Sequence, residues 1–333
     1  MLGEWERFDW SAWQERLQGV PQFTTVIDEQ TIHFVHVPSE VPGAVPLLLT
    51  HGWPGSFLEF LGLIGPLTDP AAYGGDPADA FSVVLPSIPG FGFSTPLAAF
   101  DWPTERIAHA WVELMERLGY TKFGVQGGDL GSKISPEVAR VAPDRVIGVH
   151  INGGPDSFNP VDEETRATLT PLELDRQRRI GEFMEKEFGY IALQSTRPGL
   201  VGELLSDSPA AQFAWIVDKL KAWSWPEEAL PEDILGLDFV LANASLYWFT
   251  RSGGSAAAVG YAQQGGWGDV PADSGVPTSV VTFAHDVGIR ATAEASHTIV
   301  RWTDFPDRGG HFAALEEPQL LVDDIRAAFR PGR

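Results

Sequence analysis

The sequence of 333 residues contains no cysteine. The chain can therefore form no disulfide bond, and it offers neither a thiol nucleophile nor a thiolate metal ligand. It also has no apolar window long enough to predict a membrane-spanning helix, and its N-terminus, MLGEWERFDW, lacks the basic and apolar regions of a signal peptide. These absences predict a cytoplasmic protein that works without a membrane.

Basic residues are scarce as well. The chain carries 23 Lys and Arg against 45 Asp and Glu, which leaves a formal net charge of −22. Phosphate backbones and anionic lipids would be repelled, so we expect no nucleic acid and no membrane surface among the partners. The charge fits a soluble protein, and the sequence leaves a homodimer open.

Signatures of cofactors and metals are also missing. The segment PGFGFS has two glycines after a strand pattern, but no third glycine follows at the dinucleotide-binding spacing, and no P-loop occurs. His33 and His36 stand three residues apart on a predicted strand, where they point to opposite faces. We therefore predict neither a bound cofactor nor a metal.

The sequence does contain a repeated alternation of strand and helix patterns. VPLLLTHGWPGS and FSVVLPSIPGFGFS are apolar runs that end in Gly and Pro, as buried strands feeding loops do. IAHAWVELMERLGY has one apolar helical face, with Gly119 placed to end the helix, and KFGVQGGD and RVIGVHIN follow as strands. This alternation predicts a parallel sheet with helices on both faces.

The pattern changes after Asn152. The segment from about 155 to 266 is helical or loop-like, and strand patterns return at VPTSVVTFAHD and HTIVRWTDFP. We therefore predict an N-terminal meander at 1–38 that packs on core and lid, a core domain in two parts at 39–154 and 267–333, and a helical lid at 155–266 between them. The lid would cover the carboxyl ends of the strands, where such sheets bind ligands.

One predicted strand ends in a glycine-rich turn, Gly127-Gly128-Asp129-Leu130-Gly131. Its spacing is that of a nucleophile elbow, in which glycines flank a strained apex and the next helix points its N-terminus at that apex. The apex residue is Asp129, where most such turns carry serine. An aspartate that only caps the helix would give the same pattern, so the turn alone leaves both interpretations open.

Residues further along the chain favour the nucleophile. In elbow hydrolases the nucleophile, the acid and the histidine follow one another in that order. His311 stands in a loop position in DRGGHFAALEEP, and Asp286 lies just past a strand end in VVTFAHDVG, where its carboxylate could hold the tautomer of the imidazole. Asp304, Asp307 and His285 lie near enough in sequence to leave the assignment of Asp286 open.

The loop THGWPGS follows the first long apolar strand. An oxyanion hole needs backbone N–H groups aimed at the developing charge, and each such donor contributes about 3–4 kcal/mol. We predict that the N–H groups of Trp53 and Leu130 form this hole. His51 and Pro54 would shape the loop beside the substrate, and Pro54 is a candidate for a cis peptide bond.

An aspartate at the apex changes the chemistry. A carboxylate attacks saturated carbon by displacement and becomes an alkyl ester, which water activated by His311 would then hydrolyse at the carbonyl carbon of Asp129. The substrate must therefore carry a leaving group on carbon. An epoxide leaves an alkoxide that needs an acid, usually a tyrosine hydroxyl, whereas a halide needs indole N–H donors.

These motifs resemble those of the α/β-hydrolase epoxide hydrolases, in their microsomal-type branch, along nearly the whole chain. VPQFTTVIDEQTIHFVHVPS is similar to the end of that family's N-terminal segment. The family's core motifs are matched, in order, by PLLLTHGWPGSFLEF, LPSIPGFGFS and QGGDLGSKI. RGGHFAALEEP is close to verbatim. The resemblance implies the α/β-hydrolase fold, with a mostly parallel sheet and an inserted helical lid. It also implies Asp129 as nucleophile, His311 as base and Asp286, in place of the usual Glu, as the acid that orients the base.

The resemblance further implies two lid tyrosines that protonate the epoxide oxygen. NASLYWFT gives Tyr247, and AVGYAQQGGWG gives Tyr261. Leu130 departs from the family, which commonly has Trp after the nucleophile. That departure argues against a haloalkane dehalogenase, which resembles this branch but typically uses a Trp there to hold halide.

The lid is rich in tryptophan, and Trp248 beside Tyr247 is our candidate for a substrate contact. These tryptophans are Trp215, Trp223, Trp225 and Trp248 within the predicted lid and Trp267 directly after it. Tryptophan in a helical lid more often packs than lines a pocket. If two of these rings line the cavity, a bulky apolar or aromatic epoxide becomes the expected substrate, such as secondary metabolism produces.

The sequence therefore predicts a cofactor-independent epoxide hydrolase that acts on a small-molecule epoxide and water. Two alternatives stay open. One is a haloalkane-type dehalogenase with the same Asp129 nucleophile, and the other is a non-catalytic ligand-binding protein that retains the hydrolase shell.

Overall fold

An eight-stranded sheet forms the centre of the molecule. The structure, a computed structural model, describes residues 1–263 and 270–330. The strands are β1 (Gln22–Ile27), β2 (Gln30–Val37), β3 (Val45–Thr50), β4 (Phe81–Pro86), β5 (Phe123–Gly127), β6 (Val146–Asn152), β7 (Thr278–Thr282) and β8 (Ile299–Asp304). Across the sheet they follow the order β1-β2-β4-β3-β5-β6-β7-β8.

Strands β3 to β8 run parallel, and β1 and β2 add an antiparallel hairpin beside β4. Strands β3, β4 and β5 are buried almost throughout, as expected of a parallel sheet covered on both faces. The predicted mostly parallel sheet is confirmed. Thr50 pairs with Gly127, so the ends of β3 and β5 lie side by side and the two loops that follow them are neighbours.

Helices precede the first strand, connect the later strands and follow the last one. Those before β6 are α1 (Leu2–Trp5), α2 (Trp10–Gln18), α3 (Leu61–Thr68), α4 (Thr104–Arg117) and α5 (Gly131–Val141). Those between β6 and β7 are α6 (Glu163–Thr168), α7 (Pro171–Lys186), α8 (Gly189–Thr196), α9 (Pro198–Asp207), α10 (Pro209–Trp223), α11 (Leu237–Thr250) and α12 (Ser252–Ala262). The last three are α13 (Arg290–Ala293), α14 (Ala313–Glu316) and α15 (Pro318–Phe329), and short 3-10 or π turns lie at Phe57–Phe60, Pro70–Tyr73, Pro77–Asp79 and Glu232–Gly236.

Helices α3 and α15 pack together beside the sheet, and α4 and α5 form a second pair. Helix α4 confirms the predicted amphipathic helix, because Ile107, Trp111 and Leu114 are all buried. The helix ends at Arg117, and Gly119 follows with a φ of 83°, a backbone conformation that residues with a side chain rarely adopt.

The helices between β6 and β7 lie where the sequence predicts a lid, and the N-terminal helices contact them. The Trp5 indole N–H donates to the Ser245 hydroxyl at 2.8 Å, and the Trp5 ring stacks on Phe213. The predicted lid boundary after residue 266 lies outside the described residues, so the division into four parts stays a prediction. Among the described residues, no helix has both the length and the apolar character needed to cross a bilayer.

A buried ionic cluster joins β6, β8 and α15. Asp324 accepts hydrogen bonds from the His150 ring at 3.1 Å, from the Arg301 guanidinium at 2.6 Å and from the Thr303 hydroxyl at 2.8 Å. Burial acts to raise the pKa of Asp324, but these partners outweigh it and lower the pKa to about 2. Because the carboxyl group is more acidic in the folded chain than in the unfolded one, its ionisation stabilises the fold.

Asp324→Asn should lower the free energy of unfolding by about 2–3 kcal/mol at pH 7, the equivalent of a carboxyl pKa lowered from about 3.9 to about 2. This advantage of the wild type is complete above about pH 4 and is lost as the pH falls through about 2. Urea unfolding between pH 7 and pH 2 measures it. Asp323→Asn, at an exposed neighbouring position, is the matched control and should change stability by less than about 0.5 kcal/mol. If the free energies of unfolding of the wild type and Asp324→Asn differ by the same amount at every pH, this account is contradicted.

Candidate active site

The predicted elbow is a tight turn between β5 and α5. Its apex, Asp129, has a φ of 53°, in the left-handed region that is costly for a residue with a side chain. A Cβ on Gly127 would lie 2.4 Å from the carbonyl oxygen of Gly131, and a Cβ on Gly131 would lie 2.1 Å from that of Thr50. Only glycine fits at these two positions. Helix α5 begins at Gly131, so its N-terminus favours a negative charge on Asp129.

Two backbone donors hold the Asp129 carboxylate. The N–H of Trp53 donates to Oδ1 at 2.8 Å, and the N–H of Leu130 is the second backbone group that lowers the pKa of the carboxyl group. These are the two groups that the sequence predicts for the oxyanion hole, and both lie beside Asp129. The Trp53–Pro54 peptide bond is cis, which confirms the prediction for Pro54.

His51 and Pro54 fix the loop that carries Trp53. The Nδ1–H of His51 donates to the Gly52 carbonyl oxygen at 3.1 Å, and its Nε2 accepts from the Ile88 N–H at 3.2 Å. Burial lowers the pKa of His51 to about 4, so the ring is neutral at pH 7. The Pro54 carbonyl oxygen accepts from the Asn243 side chain of α11 at 2.8 Å, which ties the loop to the lid.

His311 faces the second carboxylate oxygen of Asp129. Its Nε2 lies 3.4 Å from Oδ2 of Asp129. The backbone N–H of His311 donates to the Trp223 carbonyl oxygen at 2.9 Å, and Glu316 accepts from the Trp225 N–H at 2.9 Å. The loop and helix around His311 are therefore bonded to the end of lid helix α10.

Asp286 is buried, and its negative charge acts on the imidazole of His311. Asp304, one of the nearby sequence candidates, is paired with an arginine instead. Asp304 accepts from the Arg176 guanidinium at 2.7 Å, and burial lowers the pKa of His285 to about 3. Asp286 is thus the predicted acid that the structure places within electrostatic reach of His311.

Two arginines that the sequence analysis did not single out hold the loop of Asp286. Arg179 donates to the carbonyl oxygen of Asp286 at 2.9 Å, and Arg176 donates to that of Gly288 at 3.0 Å. Both belong to α7, in the run DRQRRIGEF. The run was visible in the sequence, but most charged runs of this kind are solvated helix faces, so it carried no signal for a role beside the site.

The charged groups alter one another's proton affinity. Burial acts to raise the pKa of Asp129, but His311 and the two backbone donors outweigh it and lower the pKa below its usual value. Burial acts to lower the pKa of His311, but its contact with Asp129 and the charge of Asp286 outweigh it and raise the pKa. The resting site therefore favours an ion pair between a carboxylate and an imidazolium.

Removing the charge of Asp129 should lower the pKa of His311. In Asp129→Asn the partner that raises the pKa is lost, whereas the burial that lowers it remains. NMR titration of the histidine ring signals in wild type and variant measures the change, with Asp323→Asn on the surface as the control. A His311 pKa that stays the same or rises in Asp129→Asn would contradict the ion pair.

A small cavity lies against Asp129 and His311. It offers about 10 Å³ to the centre of a water molecule, close to the minimum that one water needs. The polar side chains that border it include Asp129, His311, Glu59 and Asn152. Glu59 was not a candidate from the sequence, where it stands in the apolar run SFLEF and gives only the signal of a helix cap.

The predicted tyrosines occupy different environments. Tyr247 is buried on α11, and its hydroxyl donates to the Gly55 carbonyl oxygen at 2.8 Å. Tyr261 is 49% exposed at the end of α12 and is not among the described residues that border the cavity. The structure therefore places Tyr247 against the loop that carries Trp53, and Tyr261 away from the cavity.

Tyr190, which the sequence analysis missed, lies at the site. Its ring stacks on that of Trp53 with 4.9 Å between the centroids. Burial raises the pKa of Tyr190 well above its usual value, and the negative charge of Asp129 adds to the rise, so the phenol keeps its proton. The signal that could have identified it is the scarcity of tyrosine, because Tyr190 is one of only five tyrosines and lies in the first turn of a lid helix.

Among the lid tryptophans, Trp223 lies against His311. Its ring lies 5.1 Å from that of His311 and 5.5 Å from that of Tyr190. Trp248, predicted to contact substrate, is half-buried on α11 and is not among the described residues that border the cavity. Trp267 lies outside the described residues.

A mostly parallel sheet with an elbow after its β5 strand and helices inserted after β6 is the α/β-hydrolase fold, here with a carboxylate at the position of the nucleophile. Family models agree with this class. The model for the alpha/beta hydrolase fold matches residues 45–189, and the model described as epoxide hydrolase N terminus matches residues 1–60.

Relatives narrow the class to one family. A protein of Stigmatella aurantiaca (strain DW4/3-1) that carries a provisional epoxide hydrolase name is 41% identical, over 98% of this chain and 74% of the relative. Epoxide hydrolase 1 of Oryctolagus cuniculus is 35% identical, over 98% of this chain and 78% of the relative. The crystal structure of juvenile hormone epoxide hydrolase from the silkworm Bombyx mori superposes with a TM-score of 0.87 at 28% identity, covering 100% of this chain and 84% of that one. The chain belongs to the epoxide hydrolase family.

Proposed function

We propose that this enzyme opens an epoxide to a vicinal diol through a covalent ester on Asp129. The observation that carries the proposal is the placement of the two carboxylate oxygens. Oδ1 accepts from the Trp53 N–H at 2.8 Å, and Oδ2 lies 3.4 Å from Nε2 of His311. One oxygen thus lies where an oxyanion would be stabilised, and the other can attack carbon beside a base.

In the first step, Oδ2 of Asp129 attacks an epoxide carbon, the ring C–O bond breaks, and the ring oxygen takes up a proton. Asp129 needs no base, because its lowered pKa keeps it ionised. We assign the proton to Tyr190, which stacks on Trp53 beside the nucleophile and keeps its proton at neutral pH. Tyr247 and Tyr261 stay predicted proton donors, although the Tyr247 hydroxyl already donates to Gly55.

Tyr190→Phe should slow ester formation by about 10²-fold, a usual size for loss of a general acid, and should leave ester hydrolysis within a few-fold. Single-turnover mixing with styrene oxide, acid quench and intact-protein mass spectrometry separates the two rates. Tyr247→Phe should slow ester formation less than Tyr190→Phe does. If Tyr247→Phe slows it more, Tyr247 is the acid. Tyr120→Phe, whose hydroxyl contacts His36 on β2, is the control for loss of a phenol elsewhere.

In the second step, water attacks Cγ of the Asp129 ester and gives a proton to His311. The oxyanion on Oδ1 is stabilised by the N–H groups of Trp53 and Leu130, and its collapse expels the diol oxygen, which takes the proton back from His311. The second proton of the water leaves the regenerated Asp129 carboxyl group and restores the phenol of Tyr190. Esterification removes the charge that raises the pKa of His311. The imidazole therefore becomes a neutral base at the stage that requires one.

For the substrate we propose a bulky apolar or aromatic epoxide, such as secondary metabolism produces. Aromatic rings meet beside the nucleophile, with Tyr190 stacked on Trp53 at 4.9 Å and Trp223 at 5.5 Å from Tyr190. Because the cavity admits little more than one water, lid side chains must move to admit such a substrate. A cytoplasmic location, a homodimer and the lack of a nucleic-acid partner stay predictions from the sequence.

Incubation with styrene oxide and, separately, with 1-bromobutane distinguishes the candidate functions. The proposal expects the diol from styrene oxide without any added cofactor, and no bromide. Bromide release without diol would instead favour a dehalogenase, despite Leu130 beside the nucleophile. Binding of both compounds with turnover of neither would favour the non-catalytic alternative.

A further inference from the structure

The cavity beside Asp129 and His311 contains a carboxyl group that the two steps above do not use. Glu59 lies in the 3-10 helix Phe57–Phe60, is half-buried and borders the cavity. We propose that Glu59 and His311 together hold the water that hydrolyses the ester on Asp129. This inference rests on the proposed function and adds to it a second group that contacts the attacking water.

The Glu59 carboxyl is held in one orientation. Its Oε1 accepts from the Ser56 N–H at 3.0 Å, in a capping box at the start of the 3-10 helix. A Cβ on Gly55 would lie 1.3 Å from Oε1, so this position must lack a side chain for the carboxyl to fit. Because Oε1 accepts from the backbone, Oε2 is the oxygen that can hydrogen-bond to a molecule in the cavity.

The cavity matches one water in size and in polar partners. Its volume of about 10 Å³ for a water centre is near the minimum for a single molecule, and a buried water needs two to four hydrogen-bonding partners. Glu59, His311 and Asp129 all border this space. Asn152 borders it too, but its Oδ1 already accepts from the Gln126 side chain at 2.8 Å.

The charge state of Glu59 suits this role. Burial raises the pKa of Glu59 to about 8, against the opposing charge of His311 and with the support of Asp129. The carboxyl group therefore keeps its proton at pH 7 and can donate a hydrogen bond to the water oxygen. A water that accepts from Glu59 and donates to Nε2 of His311 keeps a lone pair for Cγ of the ester. As the new C–O bond forms, the water proton moves to His311, and Glu59 keeps its own.

Glu59→Met should slow ester hydrolysis by about 10- to 100-fold, the cost of misplacing a reactant, and leave ester formation within about threefold. The ester should then accumulate during turnover of styrene oxide. Glu59→Gln can still accept from Ser56 and donate to the water, so it should keep hydrolysis within about fivefold of the wild type. Single-turnover acid quench with intact-protein mass spectrometry measures both steps. Hydrolysis at the wild-type rate in Glu59→Met, or an equal loss in both steps, would overturn the proposal.

Ser56→Ala is the matched control for a purely structural role. It removes the hydroxyl half of the same capping box and keeps the backbone N–H that Glu59 accepts from. We expect a lower melting temperature and an unchanged ratio of the two rates. If Glu59 only caps the helix, Glu59→Met will behave in the same way, and the proposal fails.

Ala314→Val tests the water position independently of the fold of the Glu59 variants. Ala314 borders the cavity, and two added methyl groups would displace the water. The same selective loss of ester hydrolysis is expected, and an unchanged hydrolysis rate would overturn the proposal. Failure of the proposed function itself would look different, because no ester would then form in any variant, including His311→Gln.

Discussion

Replacing Asp129 by asparagine is expected to abolish diol formation, with kcat lower by at least about 10⁴-fold, as is typical when a covalent nucleophile is removed. An amide oxygen does not displace the epoxide oxygen from carbon, although it can still accept from the Trp53 and Leu130 N–H groups. Asparagine also tolerates the φ of 53° at this position, so the elbow should fold. Chromatographic assay of the diol from styrene oxide measures the loss.

Two further variants make this result specific. Asp129→Ala should be equally inactive, and it cannot regain a carboxylate by deamidation. Asp156→Asn is the matched control, because Asp156 also has a positive φ, of 55°, and also accepts from a histidine, His297, at 3.0 Å. Its activity should stay within a few-fold of the wild type. Hydrolysis retained in both Asp129 variants would mean that water attacks the epoxide directly.

Replacing His311 by glutamine is expected to separate the two steps. Asp129 is still ionised and still attacks the epoxide, but no base remains to activate water, so ester hydrolysis should fall by about 10³-fold or more. Intact-protein mass spectrometry after incubation with styrene oxide should show a protein heavier by one substrate molecule. Peptide mapping should place that mass on the peptide that contains Asp129.

His297→Gln is the control for this experiment, because His297 is likewise paired with an aspartate, Asp156, but does not border the cavity. It should form diol without accumulating an adduct. A His311→Gln protein that makes diol at the wild-type rate, or one that neither turns over nor forms the adduct, would contradict the assigned role.

Much of the site could be predicted because its parts are short and locally determined. The elbow needs glycine at 127 and 131 for steric reasons, and the loop of Trp53 is marked by its own Gly and Pro residues. A parallel sheet then brings the ends of adjacent strands together, so the two loops meet at Asp129 without further information. Leu130 illustrates the same point, since its backbone N–H serves the carboxylate whatever the side chain.

The lid residues could not be assigned from the sequence, because the packing of helices decides which side chains reach the site. Helix α11 is buried on nearly all sides, so its apolar pattern does not reveal which face meets the nucleophile. Tyr261 and Trp248 were predicted from motifs, yet Tyr190 and Trp223, on α8 and α10, are the lid residues that stand beside Trp53. Glu59 escaped notice because a helix cap already accounts for it in the sequence.

The central claim is that water attacks the carbonyl carbon of an Asp129 ester and never the epoxide. A single turnover of styrene oxide by excess enzyme in ¹⁸O-labelled water tests it most directly. We predict that the first diol released contains no ¹⁸O and that the peptide carrying Asp129 gains one ¹⁸O atom. A first diol that carries ¹⁸O, with an unlabelled Asp129 peptide, would contradict the ester mechanism.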